Sequence, residues 1–318
     1  MRLNLVMALA GVLLVRSLSA VQFDAAEPIW TMADREEINS SVVFTTFFKW
    51  DGKSPIELRL AGCSIFKVFV NGEFVAYGPA RGPHGWFRMD EWDLSRVARR
   101  GNNRLNIVGV AYNTTTYYIV DHEPFLQAEV LVGDKVVRAT GDGEWDANFT
   151  QRVRKTRRYS LQRAQSEVYE VARRIYWEWW KRDGFLSKSL IITNAPSVKL
   201  LERGAPYPKF EIDGSYRPTD VLSVRPRTGE LGEAPSLWGE KSSFLGRTYP
   251  DDELQYDPAV DWWKRTIEAT AKIEGEAAKV DATRGVRYEG AVNNTAYIML
   301  GVTLALGRNR VYLIDKDN

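Results

Sequence analysis

The dipeptide Asn71-Gly72 constrains this 318-residue chain more than any other short feature. It lies between Ile65-Phe66-Lys67-Val68-Phe69-Val70 and Glu73-Phe74-Val75-Ala76-Tyr77-Gly78, two runs rich in β-branched and aromatic residues. Both central positions of a type I′ turn need positive φ, which Asn tolerates and Gly adopts freely, so the stretch reads as a β-hairpin. Beyond it, Gly78-Pro79-Ala80-Arg81-Gly82-Pro83-His84-Gly85 excludes a helix, because proline lacks the N–H and clashes with the preceding turn. An exposed loop is expected there, presenting Arg81, His84 and Trp86 beside Phe87, Asp90, Glu91, Trp92 and Asp93.

The same reading extends in both directions. Val42 to Trp50 and Ile56 to Leu60 are β-rich runs separated by Asp51-Gly52 and Pro55. After Gly101, the segment Asn103 to Tyr112 places Leu105, Ile107, Gly109 and Ala111 on one face, and the small residues predict close packing of another layer. Phe125 to Leu131 and Lys135 to Ala139 flank Gly133-Asp134 as a further hairpin. Short strands at this spacing, with no helical period among them, predict an all-β fold: an antiparallel β-sandwich of jelly-roll or galactose-binding-like type. By this reading residues 1–20 are a signal peptide and residues 21–225 the sandwich. A Pro- and Gly-marked linker then covers 226–265, and 266–318 begins a second, incomplete β-domain.

The leader assignment rests on Arg2, the apolar run Leu5 to Val15 and small residues near Ser17 to Ala20, with cleavage after Ser19 or Ala20. A single cysteine, Cys63, excludes an internal disulfide and is expected to be a buried thiol. Export without disulfides suits a bacterial periplasm or surface. Cys63 with two histidines cannot form a standard zinc site, so neither a metal nor a cofactor is expected. No other segment is long and apolar enough to span a membrane.

Net charge is only +2, which argues against a global attraction to nucleic acid. Gln151 to Arg174 is locally basic, with eight Arg or Lys against two Glu, and leads into the aromatic stretch Tyr176 to Trp180. A nucleic-acid groove and a sheet edge with a solvated charged face both fit these residues, and export favours the second.

Phosphate-loop, nucleophile-elbow and zinc-protease motifs are missing from the sequence. Asp90, Glu91 and Asp93 invite a paired-carboxylate reading, but neighbouring strand residues face opposite ways, so only Glu91 and Asp93 could share a face. A solvated turn or a cap is the plainer role. Carbohydrate binding suits the aromatics better, since the C–H face of a pyranose stacks on an aromatic ring while its hydroxyls pair with planar polar groups. Arg81, Trp86, Trp92, Tyr112, Asn113, Tyr117 and Asp121 are the candidate set. Each aromatic among them also reads as a packing residue.

Several motifs occur here as an ordered series: Val68 to Pro83, Asp90-Glu91-Trp92-Asp93-Leu94, Ala111-Tyr112-Asn113 with Tyr117-Tyr118, Pro124 to Glu129, and Tyr159 to Arg163 with Glu167 and Tyr169. This series resembles the non-catalytic N-terminal region of bacterial α-L-rhamnosidase-like enzymes of glycoside hydrolase family 78. The resemblance implies a β-sandwich, a second β-domain and then a catalytic (α/α)6 barrel that carries the acid and base. The present sequence ends before such a barrel could begin, so no catalytic residue is carried over. The expectation is an accessory region that binds a rhamnose-containing glycan or braces a C-terminal catalytic domain. Two alternatives remain at this point: a purely structural interface domain, and a self-sufficient hydrolase using the Asp90 to Asp93 cluster.

Overall fold

The computed structural model describes residues 21–116, 119–150, 152–158, 164–168, 190–210, 217–229, 246–256, 265–272 and 284–289. Tyr117, Tyr118, Trp177, Trp179, Trp180, Trp262, Trp263 and the leader at 1–20 lie outside these residues. Strands are β1 (Ile29–Thr31), β2 (Ser40–Trp50), β3 (Ile56–Cys63), β4 (Ile65–Val70), β5 (Glu73–Gly78), β6 (Trp86–Asp93), β7 (Gly101–Ala111) and β8 (Phe125–Val132). Then follow β9 (Lys135–Ala139), β10 (Asp146–Phe149), β11 (Ile192–Asn194), β12 (Lys199–Glu202), β13 (Arg217–Pro226), β14 (Arg265–Lys272) and β15 (Arg284–Glu289). Helical structure among the described residues is limited to two short 3-10 turns, Met32–Asp34 and Asp251–Glu253.

Two sheets pack as a β-sandwich. One is seven-stranded, in the order β11-β1-β8-β3-β6-β12 with β9 added to β8; the other is five-stranded, in the order β10-β2-β7-β4-β5. Within the sandwich all pairs are antiparallel except β12 with β6, which run parallel. The expected hairpin is present: β4 pairs with β5 around Asn71 (φ 51°) and Gly72 (φ 85°), both in the left-handed region. Asn71 also donates from its amide to the Val97 carbonyl and to Asn103 Oδ1, which anchors the turn on the neighbouring loop.

Alternation puts Val42, Phe44 and Phe48 of β2, Phe66, Val68 and Val70 of β4, and Leu105 and Ile107 of β7 into one core with Leu58, Leu60, Ala128 and Val130 of the facing sheet. Each large apolar side chain buried here contributes roughly 1.5 to 3 kcal/mol relative to exposure. Trp30 of β1 is wholly buried against Phe44, with ring centroids 5.4 Å apart, and a Cβ on Gly109 would lie 3.0 Å from its ring. That close approach is the second layer anticipated from the small residues of β7. Cys63 is a free, buried thiol whose pKa burial pushes up to about 11.

Two sequence expectations are revised, and the structure gives the pairing of two further segments. The Asp90 to Asp93 stretch is not a solvated turn but strand β6, with Asp90 and Trp92 buried and Glu91 and Asp93 exposed. Among the described residues of the basic segment after Gln151, the face is only partly solvated. Arg152 and Arg158 are buried, and Arg152 donates through Nε and Nη2 to Asn39 Oδ1 at 3.1 and 2.8 Å. Arg217–Pro226, expected inside the first domain, pairs with both β14 and β15 in a separate three-stranded sheet. Part of the expected linker is also ordered onto the sandwich, where Tyr249 Oη donates to the Ile38 carbonyl at 2.8 Å and Arg247 to the Glu36 carbonyl at 2.6 Å.

Candidate functional site

The loop between β5 and β6 is exposed from Arg81 to Gly85, as its glycines and prolines predict. It is closed at its base by the Trp86 N–H donating to the Pro83 carbonyl at 3.0 Å. Arg88 holds it from below, donating through Nε to the Arg81 carbonyl at 2.8 Å and through Nη1 to the Glu202 carbonyl at 2.7 Å. These bonds fix the start of β6, where Trp86 is half-buried opposite Lys199 of β12. The Lys199 ammonium lies 5.5 Å from the Trp86 ring centroid, in cation–π range. Next along the strand, Phe87 is wedged edge-on between His122 and Phe125, at 4.6 and 4.8 Å. Trp86 and Phe87 point to opposite faces of β6, so the exposed platform is the single Trp86 ring, beside Lys199 of the edge strand β12 and following the loop that carries Arg81 and His84.

The other expected contact residues are not gathered there. Trp92 is buried in the core, edge-on to Phe66 at 6.0 Å. Tyr112 is buried with the Arg152 guanidinium 5.5 Å from its ring. Asn113, at positive φ, spends its amide N–H groups on the Arg35 and Glu37 carbonyls at 2.9 and 2.7 Å. Packing and backbone satisfaction therefore account for these three, and a sugar could not reach them without opening the fold. Asp121 is exposed, Arg81 is exposed, and Tyr117 lies outside the described residues.

Beside the platform the carboxylates separate by role. Glu91 and Asp93 face solvent, and Asp93 accepts from the Ser95 N–H and hydroxyl at 2.8 and 2.9 Å as a local turn cap. Asp90 is wholly buried and accepts from Arg203 Nη1 at 2.5 Å, while its Oδ2 has no hydrogen-bond partner. Desolvation outweighs the arginine and raises the Asp90 pKa to about 6. Arg203 in turn lies 4.1 Å from the ring centroid of Tyr207. The Tyr207 hydroxyl accepts from the Glu91 N–H and donates to the Glu91 carbonyl, both at 2.7 Å. Phe210 then reaches Tyr77 at 5.1 Å and Phe74 at 6.2 Å on the other sheet. The chain after β12 thus straps the open side of the sandwich, from β6 to β5.

Lys199, Arg203, Tyr207 and Phe210 were not singled out from sequence. The sequence signal for them is Tyr207 and Phe210, two aromatic residues in and just after Pro206-Tyr207-Pro208. A shallow cleft of about 280 Å³ lies elsewhere, lined by Phe47, Phe48, Lys49, Asn102, Val137 and Arg138, with no carboxyl group in its lining. Among the described residues, no cluster of three or more His, Cys, Asp or Glu is placed to hold a metal ion.

No protein-family model matches this chain, and no curated protein sequence does. In structure it is similar to the GH78 family rhamnosidase of Bacillus sp. GL1, with a TM-score of 0.53 at 20% identity, over 63% of this chain and 22% of that one. The chain thus spans about a fifth of that rhamnosidase. The α-L-rhamnosidase of Streptomyces avermitilis complexed with L-rhamnose gives 0.40 at 14% identity, over 80% of this chain and 29% of that one. A lectin of Pleurotus ostreatus gives 0.29 at 16% identity, over 40% and 35% of the two chains.

Proposed function

We propose that this chain is a non-catalytic, carbohydrate-associated β-region of a longer rhamnosidase-like glycoside hydrolase, exported from a bacterial cell. Its task in this reading is to contact a rhamnose-containing glycan through the Trp86 platform while bracing a catalytic domain. The observation that carries the reading is the contrast along β6. Trp86 is half-exposed beside Lys199 of the edge strand β12 and follows the exposed loop of Arg81, whereas Asp90 is shut into an ion pair with Arg203. A half-exposed indole with nearby cations suits the C–H face and hydroxyls of a pyranose. Hydrolysis would instead need two carboxyl groups roughly 5 to 9.5 Å apart across a sugar, whereas on β6 the buried Asp90 faces away from Glu91 and Asp93, and these two lie side by side on one exposed face rather than across a cleft. The likeness in fold to part of the Bacillus rhamnosidase supports the parent assignment, and the apolar run Leu5 to Val15 supports export.

The experiment is an NMR titration of the chain with methyl α-L-rhamnopyranoside, alongside an aryl α-L-rhamnoside hydrolysis assay. Expected are saturable shifts around Trp86 and Lys199 with a Kd on the order of millimolar, lost in Trp86→Ala, because a shallow platform leaves little surplus after the costs of association. No turnover is expected. Shifts absent at saturating sugar would refute glycan contact, and turnover abolished by Asp90→Asn would establish the self-sufficient hydrolase instead.

A further inference from the structure

The second feature with the makings of a binding site lies on the other side of the sandwich, at the seam where β9 of one sheet leans against β2 of the other. Arg138 of β9 bridges the seam by donating from Nε to the Phe47 carbonyl at 2.9 Å. It can do so because β10 pairs only with Val42 to Thr45, leaving the rest of β2 as a free edge. Phe48, buried in the core, and Val137, packed against it, line the cleft on its inner side. Phe47, on the opposite face of β2 from Phe48, is 47% exposed.

The polar side chains lining the cleft are two cations, Lys49 and Arg138, and the Asn102 amide, which can both donate and accept. Lys49 and Asn102 are cross-strand partners on β2 and β7, so their side chains share a face with that of Phe47, two residues from Lys49. Neither side chain has a hydrogen bond or ion pair among the described residues. Arg138 uses Nη1 on Asp142 at 3.1 Å, with Glu144 further off at 4.0 Å, and this leaves Nη2 uncommitted. Lys49, the Nη2 of Arg138 and the Asn102 amide thus flank an exposed ring, and Asp142 and Glu144, which pair with Arg138 through Nη1, do not line the cleft.

We infer that this cleft binds a carboxylate-bearing pyranose, a hexuronate unit of a glycan, through ring stacking on Phe47 and a carboxylate held by Lys49 and Arg138. The ring supplies the apolar face that a sugar's C–H groups need, and the donors select the acidic sugar over a neutral one. At about 280 Å³ the cleft is at the lower limit of the roughly 300 to 1,000 Å³ typical of small-ligand sites, which suits one sugar unit rather than a long chain. The inference shares with the function proposed above only the premise that the glycan is the ligand. It concerns different residues and can fail alone.

The test is a two-dimensional NMR titration of the full chain with D-glucuronate, with methyl β-D-glucopyranoside and sodium acetate as separate arms. Shifts are expected at Phe47 to Lys49 and at Val137 and Arg138 with glucuronate, and weaker ones by about tenfold or more with either control. Phe47→Ala and Lys49→Ala, both at exposed positions, should each weaken binding about fivefold, and about 0.5 M salt should weaken it further by screening. Equal affinity for the neutral sugar would overturn the charge reading, and equal affinity for acetate would reduce the site to an anion contact. Shifts elsewhere only, or none at saturation, would overturn it altogether. Circular dichroism of both variants separates lost binding from lost fold. Rhamnoside shifts at Trp86 report on the other proposal independently.

Discussion

Asp90 and Arg203, 113 residues apart in sequence, meet as an ion pair at 2.5 Å inside the edge of the sandwich. The Asp90 side chain is fully buried and that of Arg203 nearly so. Burial of the carboxylate nonetheless dominates, so the folded pKa is about 6 against an ordinary value of 3.8. The folded state therefore holds this proton more tightly than the unfolded chain does.

The consequence for pH runs opposite to the usual salt-bridged aspartate. The contribution of Asp90 to stability is greatest below pH 3.8 and is lost as pH rises through 6, a change of about 3 kcal/mol by linkage. Asp90→Asn cannot titrate, so the difference in unfolding free energy between wild type and variant should shift in favour of the variant between pH 4 and pH 7. Urea unfolding at both pH values measures it. Parallel pH profiles for the two proteins would show that Asp90 does not titrate in this range.

Tyr207 closes the same strap by pairing its hydroxyl with both backbone groups of Glu91. Tyr207→Phe keeps the ring over Arg203 and removes only those bonds. A loss of roughly 1 kcal/mol is expected, modest because this edge is open to water. Amide hydrogen exchange at Glu91 should accelerate in the variant while exchange in β7 stays unchanged. Unaltered protection at Glu91 would mean that the strap is held by its rings alone.

Gly72 occupies the second turn position at φ 85°. Gly72→Val places a β-branched residue in a sparsely allowed region and should destabilise by roughly 1 to 3 kcal/mol. A thermal melt is the check, and an unchanged midpoint would contradict the turn assignment.

Gly109 faces Trp30 across the core, and an added Cβ would sit 3.0 Å from the indole. Trp30 is wholly buried, so the ring has little room to yield. Gly109→Ala should therefore cost roughly 1 to 3 kcal/mol through overpacking, and the near-ultraviolet circular dichroism of the tryptophans should change. Retention of both stability and spectrum would show a looser second layer than the contact implies.

What the sequence determined by itself was local. Asn71-Gly72 and Gly133-Asp134 specify turns because backbone sterics act between neighbours. The segment Asn103 to Tyr112 puts Leu105, Ile107, Gly109 and Ala111 on one face because strand side chains alternate whatever lies opposite. The exposed loop at Arg81 to Gly85 follows from its prolines and glycines in the same way. Tertiary structure decided the rest. Whether Trp92 and Tyr112 face a sugar or a core depends on which sheet covers them, and the same composition serves both roles. Asp90 reads as a solvated acid until Arg203 is brought to it by the strap that follows β12. Lys49, Asn102 and Arg138 become one cleft only because β9 leans across the seam onto the unpaired end of β2. Strand pairing over a hundred residues is set by the complementarity of whole faces, and that information is distributed over the chain rather than written at any one site.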